Sequence, residues 1–132
     1  MSLLEFVPKN GIEHAILAAK LGSLPTESVL DALLAGRVFM ASAVEPKAAD
    51  GSDFQPLLFD GPEGFPMVAA YSDPERSAVH QPYSLFLLEM AGRDLFLRMP
   101  AGYGVVLNAG YSAQLAIQPL AIEDIKRRLK AS

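Results

Sequence analysis

Between Asn10 and Leu21 the apolar residues Ile12, Ile16, Leu17 and Leu21 return at helical spacing, with Asn10 ahead of the run and Gly22 behind it as cap residues. The pattern predicts a first helix. Pro25 then precedes Val29, Leu30, Leu33 and Leu34, two adjacent apolar rows closed by Gly36, so a second helix with a wide buried stripe is expected. Arg37 to Val44 is rich in β-formers and reads as the first strand. Glu45 to Asp53 is polar and without periodicity, which marks residues 45–53 as a mobile loop, and residues 1–9 are expected to be flexible.

Pro56–Phe59 and Phe65–Tyr71 are short apolar runs around Asp60-Gly61-Pro62-Glu63-Gly64, a composition suited to a tight reversal and hence to a β-hairpin. Ser72-Asp73-Pro74-Glu75 has an N-cap serine, an early proline and a glutamate three residues on, the capping-box pattern that should open one short helix. Tyr83 to Met90 is apolar on both alternations, so it is expected to be a strand covered on both faces at the centre of the sheet, with Leu87 inside it. Gly104–Leu107 and Gln114–Gln118 flank Asn108-Ala109-Gly110-Tyr111-Ser112 as a closing hairpin. Pro119 opens a last helix with Ile122, Ile125 and Leu129 on its buried row.

These elements fit a chain of 132 residues as a single α+β domain, 1–132, with one core. The sheet should be mixed and largely antiparallel, of about five or six strands, packed with N-terminal and C-terminal helices. A composition 51% hydrophobic and 20% charged excludes global disorder. No apolar run approaches the roughly 20 residues of a membrane span. The first ten residues lack the basic flank and apolar core of a signal peptide. With zero cysteine, disulfides and thiol chemistry are absent, which fits a reducing, cytoplasmic setting.

Net charge is −4, with four Lys/Arg against nine Asp/Glu in residues 1–66 and seven against six in 67–132, so no basic footprint for nucleic acid is expected. The one basic cluster, Lys126, Arg127, Arg128 and Lys130, closes a helix that begins with Glu123 and Asp124, as helix-dipole complementarity alone would arrange it. The two histidines, His14 and His80, have no ligand partner at i+3 or i+4, so neither a metal site nor a cofactor is expected. The serines lack an elbow motif or a base, and Ala101-Gly102-Tyr103-Gly104 leads into a strand rather than a helix, unlike a phosphate loop. His14 reads as a packing residue. His80 is more suggestive, because Asp73, Glu75, Arg76 and Ser77 precede it and a polar cluster could gather at one end of the sheet. Tyr103 and Tyr111 bracket Asn108, whose ordinary role in such a turn is to bond nearby backbone.

Phe6-Val7-Pro8-x-Asn10-x-Ile12-Glu13, the Ala-rich helix ending at Gly22, Leu33-Leu34 ahead of Val38-Phe39-Met40, and Tyr71-Ser72-x-Pro74-Glu75-Arg76 together form a pattern. With Pro100-x-Gly102-x-Gly104-Val105-Val106-Leu107-Asn108-x-Gly110 it resembles the SseB N-terminal domain family from about Phe6 to Leu129. The resemblance implies a bacterial protein and a family linked to enhanced serine sensitivity without an agreed molecular activity. A secretion label attached to that name comes from a like-named translocon protein that this sequence does not resemble. Ala109 stands where the family often has proline, and the companion C-terminal domain of the family is not expected here.

The expected function is a non-enzymatic protein- or peptide-binding or regulatory module, with an unknown protein partner or a homodimer, no nucleic acid and no membrane. The alternative is a small-molecule-binding domain with a polar recess near Arg76, His80, Tyr103 and Asn108, with Tyr111 beside them.

Overall fold

The computed structural model describes residues 7–48, 54–61, 64–112 and 114–131. The mobility expected for residues 1–6 and 49–53 therefore lies outside the described residues. Residues 7–9 are tied down: the Arg76 guanidinium donates to the Val7 carbonyl at 2.6 Å and the Lys9 amide donates to Glu13 at 2.9 Å.

Helix α1 spans Gly11–Lys20, and its ends follow from the cap residues. Asn10 Oδ1 accepts the Glu13 amide at 3.0 Å. At the other end Gly22 takes a left-handed φ of 80°, which lets the Ser23 amide reach the Ala18 carbonyl at 2.8 Å and the Gly22 amide reach Ala19 at 3.1 Å, a Schellman closure. Helix α2 spans Thr26–Ala35 and strand β1 Arg37–Ser42, shorter than the expected run to Val44 because the Ser42 hydroxyl bridges the Val44 amide and carbonyl in a turn.

Strands β2 (Leu58–Asp60) and β3 (Pro66–Tyr71) form the expected hairpin, with Leu58 opposite Val68. A 3-10 helix, Pro74–His80, follows, then β4 (Phe86–Ala91), α3 (Gly92–Arg98), β5 (Gly104–Leu107), β6 (Leu115–Ile117) and α4 (Pro119–Ala131). The sheet is mixed and six-stranded, ordered β4-β1-β3-β5-β6, with β2 also paired to β3. β3 and β5 run parallel and the other pairs antiparallel.

Alternation along the strands gives the sheet two unlike faces. Val38, Met40, Val68, Ala70, Met90, Val105 and Leu107 pack against Ile12 and Ile16 of α1, Val29 and Leu33 of α2, Leu95 and Phe96 of α3, and Ile122 and Ile125 of α4. The opposite face carries a small cluster of Ala41, Ala69 and Tyr71, edged by Phe39, Leu57 and Phe59.

Two expectations are corrected. The doubly apolar run Tyr83–Met90 is not the centre of the sheet: β4 starts at Phe86 and lies at an edge, and Leu87 is 39% exposed. The central strand is β3, five of whose six residues are buried, and its alanines gave it a weaker hydropathy signal than β4. The capping box at Ser72 is also absent. Asp73, one residue on, caps the 3-10 helix by accepting the Glu75 amide at 3.0 Å, and the Ser72 hydroxyl is committed elsewhere. Helix α3 had no counterpart in the sequence reading.

Candidate functional site

A polar cluster sits where α1, the 3-10 helix and the C-terminal ends of β3 and β5 meet. Its centre is Glu13, which the amphipathic pattern of α1 turns inward beside Ile12 and Ile16 until no part of it is exposed. The carboxylate accepts four hydrogen bonds. Arg76 Nη2 (2.8 Å) and the Lys9 amide (2.9 Å) reach Oε1, while the Ser72 hydroxyl (2.6 Å) and Arg76 Nε (3.2 Å) reach Oε2. Burial alone would push this carboxyl up, but the hydrogen bonds from Arg76, Ser72 and Lys9 outweigh it and hold it below the usual range for a glutamate.

The shell around this pair is equally occupied. Asn108 follows β5 in a left-handed conformation, φ 57°, a region that asparagine tolerates better than most residues. Its Nδ2 donates to Ser72 Oγ at 2.8 Å and its Oδ1 accepts the Ser72 amide at 3.1 Å. Asn10 Nδ2 donates to the Ser72 carbonyl at 2.8 Å. The Tyr111 hydroxyl donates to the Arg76 carbonyl at 3.1 Å, and the Arg76 guanidinium lies 5.3 Å from the Tyr111 ring centre, within cation–π range. Outside, Lys9 pairs with Glu75 and, at 3.8 Å, with Asp73. Among the described residues no buried side-chain nitrogen or oxygen lacks a partner.

Chemically, this is a clamp. A carboxylate offers about four lone-pair directions and Glu13 fills them with protein donors, so it has no direction left for a substrate proton or a metal ion. Among the described residues no group of three or more histidine, aspartate or glutamate side chains could hold a metal.

A family model described as the SseB protein N-terminal domain matches residues 12–124. The chain belongs to that family. No curated protein and no solved structure matches it. The matched region carries the whole of the Glu13–Ser72–Arg76–Asn108 clamp, so in this SseB domain the buried network lies within the family's own extent.

Of the five candidate residues of the SseB domain, Arg76, Asn108 and Tyr111 come together in the clamp, with Glu13, which was not among the candidates, and Ser72, expected as a helix cap, as their partners. A signal for Glu13 existed: Asn10-x-x-Glu13 is a cap-and-glutamate spacing of the kind read instead at Ser72-x-x-Glu75. Tyr103 is separate and lines a recess with Arg98 and Met99. His80 is separate as well, on the outer side of the sheet. Its ring centre lies 5.0 Å from that of Phe59, and its Nδ1 is 2.6 Å from the hydroxyl of Tyr71. Burial pushes the Tyr71 phenol up, so it stays protonated, and it shares a hydrogen bond with Nδ1 in which the imidazole tautomer sets the donor.

Burial also lowers the pKa of His80 below 6.5. The folded state therefore binds fewer protons at this site than the unfolded chain, and stability is lost as pH falls from about 6.5 through the lowered value. Urea unfolding at pH 7 and pH 5.5 should show this loss in the parent and a smaller one in His80→Gln. Equal pH dependence in the two proteins would remove His80 as its source.

Proposed function

We propose that this SseB domain is a non-enzymatic module that binds a protein or peptide partner by adding an extended segment to the edge of β4. The supporting observation is the apolar character of that edge. Leu87 is 39% exposed within the strand, and Leu85 and Tyr83 just before it are 56% and 61% exposed. By register Leu87 lies opposite Ala41, on the sheet face that carries Phe39 and Tyr71 and against which none of the four α-helices packs. A six-residue edge with five apolar side chains, its one charge, Glu89, paired with Arg37, and an open backbone ladder is a feature that strand addition uses.

The rival reading, a small-molecule recess at Arg76, His80, Tyr103 and Asn108, has less support because the hydrogen-bonding groups of Arg76 and Asn108 already face protein partners. The basic run of α4 is likewise engaged close to home, Lys126 with Glu123 and both Arg127 and Arg128 with Asp124.

Selection of a displayed peptide library against the protein, followed by backbone amide mapping, tests the reading. Binders should perturb the amides of residues 86–91 and lose affinity for Leu87→Asp. That variant should fold with a stability within about 1 kcal/mol of the parent, since its side chain reaches water. Binders that map elsewhere, or that ignore the substitution, would refute strand addition at β4.

A further inference from the structure

The geometry points to a second site, on the other face of the sheet, for a small organic carboxylate with an apolar tail, bound in the recess between Met40, Met90, Met99 and Tyr103 with Arg98 at its rim. It is independent of the β4 edge: Leu87 points to one face of the sheet and Leu88, which lines the recess, to the other.

The recess has a volume of about 500 Å³, inside the range of small-molecule sites. Its floor is made by side chains of three adjacent strands, Met40 of β1, Val68 of β3 and Met90 of β4, and one flank by the α3 side chain Leu95 with Met99 just beyond it. Three methionines, two in the floor and one at the flank, make an adaptable apolar surface, because the unbranched thioether repacks around differently shaped groups.

Charge selects the ligand class. Among the described residues Arg98 is the one charged residue of the lining, and none of them brings a carboxylate to the recess. Among the described residues its guanidinium, like that of Arg93, has no ion-pair partner, whereas Arg37, Arg76, Arg127 and Arg128 each meet an acid. The Tyr103 hydroxyl of the same recess has no protein partner among the described residues either. Placement of Arg98 at the end of α3 agrees with the helix dipole, but the dipole does not account for an apolar hollow and an unengaged phenol beside it. A guanidinium and a hydroxyl next to an apolar wall favour a carboxylate head, which takes paired charge-assisted bonds from arginine, and disfavour an ammonium.

The methionines supply the test. In protein labelled at the methionine methyls, decanoate should shift Met40, Met90 and Met99 in a saturable way and leave Met67 unmoved, since Met67 points to the opposite face of the sheet. Decylamine should bind about tenfold or more weakly than decanoate, the loss of one charge-assisted contact. Exposed Arg98 can be changed without opening the core, so Arg98→Gln should abolish the preference for decanoate over decanol while decanol still moves the three methyls. Methyls that ignore decanoate, a shift of Met67 equal to the others, or an unchanged preference in Arg98→Gln would each overturn the assignment.

Discussion

Arg76→Met is expected to destabilise the protein by about 3–5 kcal/mol, although methionine fills much of the volume of the arginine stem. The substitution leaves Glu13 with no exposure and no counter-charge, retaining only the Ser72 hydroxyl and the Lys9 amide as donors. An unpaired buried carboxylate costs far more than the pair it came from is worth, because the attraction that offset its desolvation is gone. The carboxyl should then prefer its neutral form, which reverses a pH dependence. In the parent, the lowered pKa of Glu13 gives stability that is present above its unfolded value and lost as pH falls below about 4.5. In Arg76→Met, burial without the guanidinium raises that pKa, so proton uptake stabilises the folded state as pH falls from neutrality. The deficit of the variant relative to the parent should therefore shrink between pH 7 and pH 5 in urea unfolding. Replacing both partners, Glu13→Leu with Arg76→Met, should cost less than the sum of the single changes. A deficit under 1 kcal/mol, or one that does not change with pH, would show that water reaches the carboxylate.

The parts of the structure legible in the sequence are those fixed by neighbours along the chain. The Asp60–Gly64 reversal, the Asn108–Ser112 reversal, the Asn10 and Gly22 caps and the Ile122–Ile125 row are local chemistry, and each produced the element expected of it. The strand order is not local. SLFLLEM reads as a doubly covered strand because Leu85 and Leu87 alternate with Phe86, Leu88 and Met90, yet whether anything covers the Leu87 side depends on which helices pack where. The four α-helices all pack on the other side. The edge position of β4 thus turns a misread core strand into the surface on which the proposed function rests.

The clamp was half legible for a related reason. Arg76 stands out by its polar neighbours and Asn108 and Tyr111 by their turn, but their meeting point, Glu13, lies 63 residues from Arg76 and is brought to it only by the folded sheet. Ser72 was misassigned by one residue. Ser72 and Asp73 both have cap chemistry, and the choice between them was made by Glu13 and Asn108, which claim the serine hydroxyl and leave the amide of Glu75 to Asp73. His80 has polar sequence neighbours and Tyr103 a glycine-rich turn, but the end of the 3-10 helix and the turn after α3 carry them to other places.

Gly92→Ala is expected to cost about 3 kcal/mol or more, at or above the top of the usual range for an added methyl, because the group it meets is backbone. A Cβ at this position would stand 1.7 Å from the Leu33 carbonyl oxygen and 2.6 Å from its carbon. No rotamer change can relieve a contact with the backbone of α2, so α2 and α3 must separate. The Gly92 amide also donates to the Gly36 carbonyl at 2.9 Å, which fixes the start of α3 against the turn that leads into β1. The glycine is required here for its lack of volume rather than for a left-handed backbone, a need that no local pattern in Ala91-Gly92-Arg93 reveals. Gly11→Ala is the matched control: nothing lies within 4 Å of its Cβ, and in the first turn of α1 alanine should be neutral or slightly stabilising. Thermal melts of the two variants should differ by many degrees, and Gly92→Ala melting with the parent would mean that α2 and α3 are not seated this closely. The displacement also reaches the carboxylate recess, because α3 carries both Leu95 and Arg98. A Gly92→Ala protein still folded at low temperature should therefore respond less to decanoate at Met99 while keeping its β4 edge competent for peptide.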